Sequence, residues 1–368
     1  MQVATPSRAQ DFPPALLRSN IRGYALAMRL AVLDVGSNSA QLQVVDAMAG
    51  SPPLPVRAVK EHTHLGEQLG EDGSISKSGI AHVTSAVEQA VSAARDFDVE
   101  WLYPFATAAI RDASNREAVL DHIEDQCGIR LQVLSGEQEA RLTYGAVRRW
   151  YGWQAGRMLI IDIGGGSMEL AFGRDQAPDF AFSFPLGAGR ATREFFGSAP
   201  VPSGKQLKAL RKRVESELGD VADRIIWEGK PGQVVVTSKT FRQLARLCGA
   251  AKMRKGPFVR RTLATADLAR CLPRLKRLTP AERARLRGVS TARAGQILAG
   301  AIVALETLRY LQIPTVQVSP WALREGIILQ HQAALTQTSE LPLHPLHLSS
   351  SAAAGDAIVT TLPPRPAN

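Results

Sequence analysis

The sequence predicts an α/β protein built as two domains, and three observations carry that expectation. The chain has 368 residues, more than one compact core usually organises. Short apolar runs rich in branched residues alternate with segments of helical periodicity along most of its length. One pattern also occurs twice: VLDVGSNSAQLQVV from Val32 and RMLIIDIGGGSMELAFG from Arg157 both read as strand, Asp-x-Gly turn, strand, which suggests duplicated units. The boundaries drawn from this are an N-terminal arm at 1–27, a first domain at 28–150, a second at 151–335 and a tail at 336–368.

The arm carries Pro13 and Pro14 and little periodicity, so it is expected to be flexible. Arg29 to Val35 is a buried strand ended by Gly36. Gln41 to Val45 alternates and returns as a hairpin partner, and PVRAVKEHTHLG continues extended. From Ser76, apolar residues spaced by three and four predict a helix. WLYPFATAAIR is a strand leading into a loop, REAVLDHIEDQCG a helix closed by Gly128, and IRLQVLSG a strand. EQEARLTYGAVRRWYG is a helix with acids in its first turn, where the macrodipole favours them. The second half continues with a basic helix (KQLKALRKRVESEL), a buried strand from Gln233 to Ser238, the apolar helix AGQILAGAIVALETLRYL, and a closing strand and helix in PTVQVSPWALREGIILQ. Beyond about Thr336 the composition turns to Ser, Ala and Pro, and that tail is expected to be disordered.

A formal net charge of +10 attracts polyanions, and charge alone does not choose among nucleic acid, acidic membranes and polyphosphate. No stretch is apolar enough to span a bilayer, and the first residues lack the order of a secretory signal. Cys127, Cys248 and Cys271 are odd in number and far apart in sequence, without metal-type spacing. They read as buried small hydrophobes in a reducing cytoplasm. The expectation is a cytoplasmic protein without a membrane or nucleic-acid partner.

The strongest local feature is Asp162-Ile163-Gly164-Gly165-Gly166-Ser167 with Glu169 behind it. Glycines after a buried strand let successive backbone N–H groups point at one anion. A carboxylate beside such a cradle repels phosphate unless a cation lies between them. Asp162 and Glu169 therefore suggest a hard divalent ion, Mg²⁺ or Mn²⁺ in its place; a plain hairpin turn is the competing explanation. Asp34-Val35-Gly36-Ser37-Asn38-Ser39 is the companion loop. Its Ser37, Asn38 and Ser39 add side-chain donors, and Asp34 joins the metal candidates; Asx-type turns use the same residues. Neither loop is a Walker A or a Rossmann fingerprint, because both lie between two strands.

Glu137, Gln138 and Glu139 open a helix after Ser135-Gly136, and a carboxylate there either activates a water or caps the helix. Arg111 either forks onto phosphate or forms a surface salt bridge with Asp112 or a neighbour. Lys239, at a helix entrance, either binds an anion or serves the helix start. His62 and His64 point the same way along a strand and read as structural, with no further His or Cys nearby.

Taken together, DVGSNS at Asp34, ATAAIRDA at Ala106, SGEQEARL at Ser135, DIGGGSMEL at Asp162 and ALREGII at Ala322 resemble the exopolyphosphatase and guanosine pentaphosphate phosphatase (Ppx/GppA) family. That family lies within the superfamily of actin, heat-shock ATPases and sugar kinases. The resemblance runs from about Met28 to Gln330 and is closest to short, actinobacterial-type members. It implies two ribonuclease-H-like domains with an interdomain cleft. It further implies that Glu139 is the general base, that Ser37, Asn38, Ser39, Gly164, Gly165, Gly166 and Ser167 bind phosphates, that Arg111 holds the chain, and that Asp162 and Glu169 contact Mg²⁺. The implied reaction releases terminal orthophosphate from inorganic polyphosphate, or the 5′ γ-phosphate from guanosine pentaphosphate; a homodimer is implied by analogy.

Four positions depart from the family pattern. Ser238-Lys239-Thr240 stands where Ser-Gly-Thr is usual, and Lys239 either disturbs a nucleotide-base contact or adds a phosphate ligand. Arg293-Ala294-Gly295 lacks the acid of Arg-Ala-Asp, PWALREG lacks the Asp before ALREG, and Gln138 replaces an acid beside the proposed base. They motivate the alternative of a catalytically weak protein that binds polyphosphate or a guanosine tetra- or pentaphosphate alarmone.

Overall fold

The computed structural model describes residues 28–48, 50–334 and 343–348; the expected N-terminal arm lies outside the described residues. Two mixed sheets are built on the same plan. In the first, β1 (Met28–Val35), β2 (Ser39–Ala47) and β3 (Arg57–His62) form consecutive antiparallel pairs. After α1 (Lys77–Asp96), β4 (Trp101–Ala106) adds in parallel on the other side of β1. The short helices α2 (Ala108–Arg111) and α3 (Arg116–Cys127) lead to β5 (Gln132–Val133), which pairs with the end of β4. Then comes α4 (Gly136–Tyr151).

In the second sheet, β6 (Met158–Ile163), β7 (Met168–Gly173) and β8 (Phe180–Phe184) repeat the antiparallel run. The helices α5 (Ala188–Phe196) and α6 (Gly204–Glu228) precede β9 (Gln233–Thr237), which is parallel to β6. The chain continues through α7 (Ser238–Leu247), β10 (Thr262–Ala264), α8 (Thr265–Arg277), α9 (Pro280–Ala284) and α10 (Ile297–Tyr310) to β11 (Thr315–Val318), α11 (Leu323–Ala334) and β12 (Leu346–His347). The orders β3-β2-β1-β4 and β8-β7-β6-β9 match strand for strand, the duplication expected from the repeated sequence pattern and the ribonuclease-H-like plan expected from the family resemblance.

Apolar faces decide how the layers stack. One face of the first sheet buries Ala31, Leu33 and Leu42 against Val87 and Val91 of α1 and Ile123 of α3. Its other face, with Leu30, Val32 and Tyr103, packs on Ile327 and Ile328 of α11. The second sheet buries Ile161 and Val236 against the large helical layer that contains α10. Its opposite face, with Met158 and Ile160, takes Ala140, Tyr144 and Val147 of α4. Hence α4 and α11 form a middle layer between the sheets, each lying on the sheet of the other half. Gly326 permits their close approach: a Cβ there would fall 2.2 Å from the Leu142 carbonyl oxygen.

Several expectations change in detail. The segment after β4 is helical at Ala108–Arg111 rather than a loop. Only Gln132–Val133 of IRLQVLSG forms strand, because β4 offers it only Phe105 and Ala106 as partners. The second domain was drawn through residue 335, yet α11 sits on the first sheet. Part of the expected disordered tail is ordered: Leu346 pairs with Leu102 and His347 with Trp101, at the end of β4 that β5 leaves open. Leu346 and Leu348, two apart and both packed on the first sheet's core, were the overlooked signal. The cysteines are not all apart either: the Cys248 and Cys271 thiols lie 3.6 Å from each other. Among the described residues no helix is long and apolar enough to cross a membrane.

Candidate active site in the cleft between the sheets

The two repeated turns meet. In each, the first glycine donates its N–H across the turn: Gly36 to the Ser39 carbonyl at 3.1 Å, and Gly164 to the Ser167 carbonyl at 2.9 Å. A Cβ on Gly165 would lie 2.7 Å from Ser37 Cβ, and one on Gly166 would lie 2.6 Å from Ala108 Cβ. The loops are thus packed tip to tip, and only residues without side chains fit on the second tip. Asn38 is buried, and its Oδ1 accepts from Gln296 Nε2 at 3.1 Å across the cleft.

Between the loops opens a cavity of about 870 Å³. Of the residues proposed from sequence, Asp34, Ser37, Asn38, Ser39, Glu139, Asp162, Gly164, Gly165, Gly166, Ser167, Glu169 and Lys239 all line it. Arg111 does not. Its guanidinium is occupied by Glu139 Oε1, by Asp112 Oδ1 at 2.9 Å and by the Leu134 carbonyl at 3.2 Å. The Asp112 bridge weighed from sequence is therefore present, and the Glu139 carboxylate is a further partner that sequence did not name.

Glu139 reaches the cleft because the start of α4 is locally specified. Ser135 Oγ accepts from the Gln138 N–H at 3.1 Å, and the Gln138 side chain returns a bond to the Ser135 N–H at 2.8 Å. This capping box explains the glutamine that replaces an acid beside Glu139: an amide oxygen serves the cap without a further negative charge. Glu139 is 7% exposed.

Four carboxylates share this end of the cavity, and burial raises all of them. Glu139 is held well above the ordinary range, first by burial and then by the charge of Glu169, with Arg111 pulling the other way. Asp162 is pushed up to about 6, chiefly by burial. Glu169 is pushed up to about 7 by burial and by Asp162, which stands directly opposite it across the β6–β7 pair. Asp34 is raised by burial against the opposing pull of Arg324. Like charges face to face across strands are destabilising, so this end of the cavity is short of positive charge.

A hard divalent cation fits that deficit. The donors are oxygen only, and Asp162 with Glu169 offers two carboxylates on one side of the cradle. Among the described residues no three acidic, histidine or cysteine side chains form a ready ligand set, so an ion held here would complete its shell with water or phosphate oxygens, as Mg²⁺ commonly does.

The charge deficit gives a measurable pH signature. Glu169 has a folded pKa above its unfolded value, so the folded state binds the proton more tightly. The penalty is absent below about pH 4.5, grows through the interval up to about 7 and is complete above it. Glu169→Gln removes the charge while keeping an acceptor for Ser183 Oγ, 3.0 Å away. In chelator, this variant is expected to match the wild-type unfolding free energy at pH 4 and exceed it at pH 8 by about 3 kcal/mol, the size of a pKa shift from 4.5 to about 7. Denaturant titrations at the two pH values check this; an equal difference at both would refute it.

Cations line the cavity as well. Lys239 lies at the start of α7, its ammonium pushed down to about 8 by desolvation, with Lys60 and Arg293 adding. Arg242 and Arg246 follow on the same face of α7, and Arg293 and Arg324 also line the cavity. Arg242 and Arg246 were not singled out from sequence. The signal was the spacing of three and four in SKTFRQLARL, which places them under Lys239. The residue before Lys239, Ser238, has φ +81°, a strained value for a non-glycine residue. Its hydroxyl bonds to Asp162, so the strain accompanies a contact between α7 and the second cradle.

Comparison with known proteins agrees with this geometry. A profile of the Ppx/GppA phosphatase family matches residues 43–334. Exopolyphosphatase 1 of Mycobacterium tuberculosis is 46% identical over 303 residues, covering 82% of this chain and 88% of the relative. Exopolyphosphatase 1 of Mycobacterium leprae is 45% identical over 318 residues, covering 85% and 94%. Among solved structures, a Ppx/GppA family member of Aquifex aeolicus superposes with a TM-score of 0.69 at 27% identity, covering 84% of this chain and 99% of that one. An exopolyphosphatase of Cytophaga hutchinsonii shares the fold with a TM-score of 0.75 at 22% identity, covering 83% and 98%. With the family profile spanning most of its length, the twinned sheets and the paired turns place this chain in the Ppx/GppA phosphatase family.

Proposed function

We propose that this protein is a divalent-cation-dependent exopolyphosphatase that releases terminal orthophosphate from inorganic polyphosphate, with Glu139 activating the attacking water. One observation carries the reading: a buried carboxylate at a helix start lines the same cavity as two backbone cradles and a series of lysines and arginines. The turns at 36–39 and 164–167 would receive the terminal phosphoryl oxygens on their N–H groups. Lys239 and Arg242 would take phosphates further along the chain. Glu139 would accept the proton as the water oxygen bonds to phosphorus and the bridging P–O bond breaks, the leaving oxygen staying with the shortened chain. Arg111 orients Glu139 and favours its ionised form. A bound Mg²⁺ would neutralise phosphate charge beside Asp162 and Glu169.

Guanosine pentaphosphate presents the same anhydride, and its 5′-phosphatase is the alternative. The cavity lining favours the unbranched polyanion: among the described residues that line it His62 is the only ring, which leaves no aromatic face to stack a purine, while Lys60, Lys239, Arg242, Arg246, Lys252 and Arg287 offer a series of cations. Orthophosphate release should be measured from short and long polyphosphates and from guanosine pentaphosphate, with Mg²⁺, with Mn²⁺ and in chelator. The expected result is release from polyphosphate that needs the added cation and exceeds release from the nucleotide. No release from any chain length with either ion would end the proposal, as would preference for the nucleotide.

A further inference from the structure

Arg261 makes no ion pair among the described residues, although it is only 5% exposed. Its guanidinium is spent on the carbonyls of the loop that precedes it. Nε donates to Ala251 O at 3.1 Å and Nη1 to Val259 O at 2.6 Å; Nη2 donates to Lys252 O at 2.7 Å and Gly256 O at 3.0 Å, with Met253 O at 3.5 Å. A planar fork with several fixed donors can gather carbonyls from three sides, and a lysine ammonium cannot reproduce that spread. The loop is fastened from outside as well. Phe258, 83% exposed, stacks on Trp150 at 5.3 Å, and Trp150 meets Trp321 edge-on at 5.0 Å.

This fastened loop is part of the cavity wall, through Ala250, Ala251, Lys252 and Met253. It stands at the end of a cationic track. Lys239, Arg242 and Arg246 occupy one face of α7 over about 10 Å of helix, and Lys252 and Arg287 continue the lining. The acids that line the cavity are Asp34, Glu139, Asp162 and Glu169, all at the cradle end.

We infer that Arg261 is a positioning residue for the distal part of the substrate: by holding loop 250–259 in place it completes, with α7, a preformed trough that selects longer phosphate chains over short ones. The inference rests on reading the cavity as a phosphate-chain site and adds to it the residue that sets chain-length preference. Phosphates beyond the cradles would meet fixed cations without first having to order a loop, so affinity rises with chain length.

The test compares tripolyphosphate with long-chain polyphosphate as substrates for the full-length wild type, Arg261→Met, Arg261→Lys and Phe258→Ala, recording kcat, KM and thermal midpoint. In Arg261→Met the ratio of kcat/KM for long chains to that for tripolyphosphate should fall about tenfold, through KM of the long chain. Arg261→Lys should not restore it. Phe258→Ala loosens the loop without touching the cavity lining, so it should lower the ratio in the same direction and remain informative if the buried substitution fails to fold. Equal losses on both substrates in every folded variant would reduce Arg261 to a purely structural role and overturn the inference, as would an unchanged ratio. A wild type that hydrolyses neither polyphosphate overturns the underlying reading as well, and that failure is told apart by needing no variant.

Discussion

Glu139→Gln will lower phosphate release by about 10²–10⁴-fold, the range expected when a positioned general base is removed, while polyphosphate binding persists or tightens. The binding half of this result follows from charge. Glu139 is buried among Glu169, Asp34 and Arg111, and its carboxylate repels an entering polyanion. A neutral amide of the same shape removes that repulsion and frees Arg111, whose Nη1 now serves Glu139. The variant should therefore hold polyphosphate at least as well as the wild type and leave it intact. Single-turnover phosphate release together with calorimetric binding separates the two effects. Retention of more than about a tenth of the wild-type rate would point to another base, because such a loss is smaller than the usual contribution of general-base catalysis.

Gly187→Ala will remove most activity without placing any group in the cavity. Gly187 caps α5 and lies against the second cradle from behind. An added Cβ would fall 2.3 Å from Gly166 C, 2.4 Å from Ser167 N and 2.5 Å from Gly165 C. All three are backbone atoms, so no rotamer change relieves the clash and the cradle itself must shift. The neighbouring contacts oppose that shift: Ala188 N–H donates to Gly164 O at 3.0 Å, and Gly189 N–H to Gly165 O at 2.9 Å. Displacement of positioning groups by about 1 Å is enough to cost on the order of 10²-fold in rate. The expected result is a loss of kcat/KM of that order with a stability loss of about 1–3 kcal/mol from overpacking. Gly145→Ala is the control, since a Cβ there meets nothing within 4 Å inside α4, and helix propensity predicts a gain of about 0.5–1 kcal/mol. Wild-type activity in Gly187→Ala would show that the cradle does not need its observed position.

Much of the candidate site was legible because it is local. The turn glycines follow buried strands, and the Ser135 cap precedes an amphipathic helix; each depends on residues only a few positions apart. The misses share a different origin. For Arg111 the local partner Asp112 was legible, but Glu139 lies 28 positions away and meets it only in the folded chain. Arg261 carried no motif, because its partners are carbonyl oxygens that any residue supplies. The thiols of Cys248 and Cys271 meet because α7 and α8 pack together, which their spacing does not reveal.

By itself, the sequence determined most of the strands and helices, where the backbone makes its two glycine turns, and that a carboxylate follows a helix cap. Each is governed by side-chain periodicity and allowed backbone angles within one element. Tertiary structure alone decided that α4 and α11 exchange sheets, that Gly165 of one turn packs against Ser37 and Asn38 of the other, and that four acids line one cavity together with a series of cations. The physical reason is that burial and charge proximity, which raise Asp162 to about 6 and Glu169 to about 7, are properties of assembled layers and have no counterpart in an isolated segment.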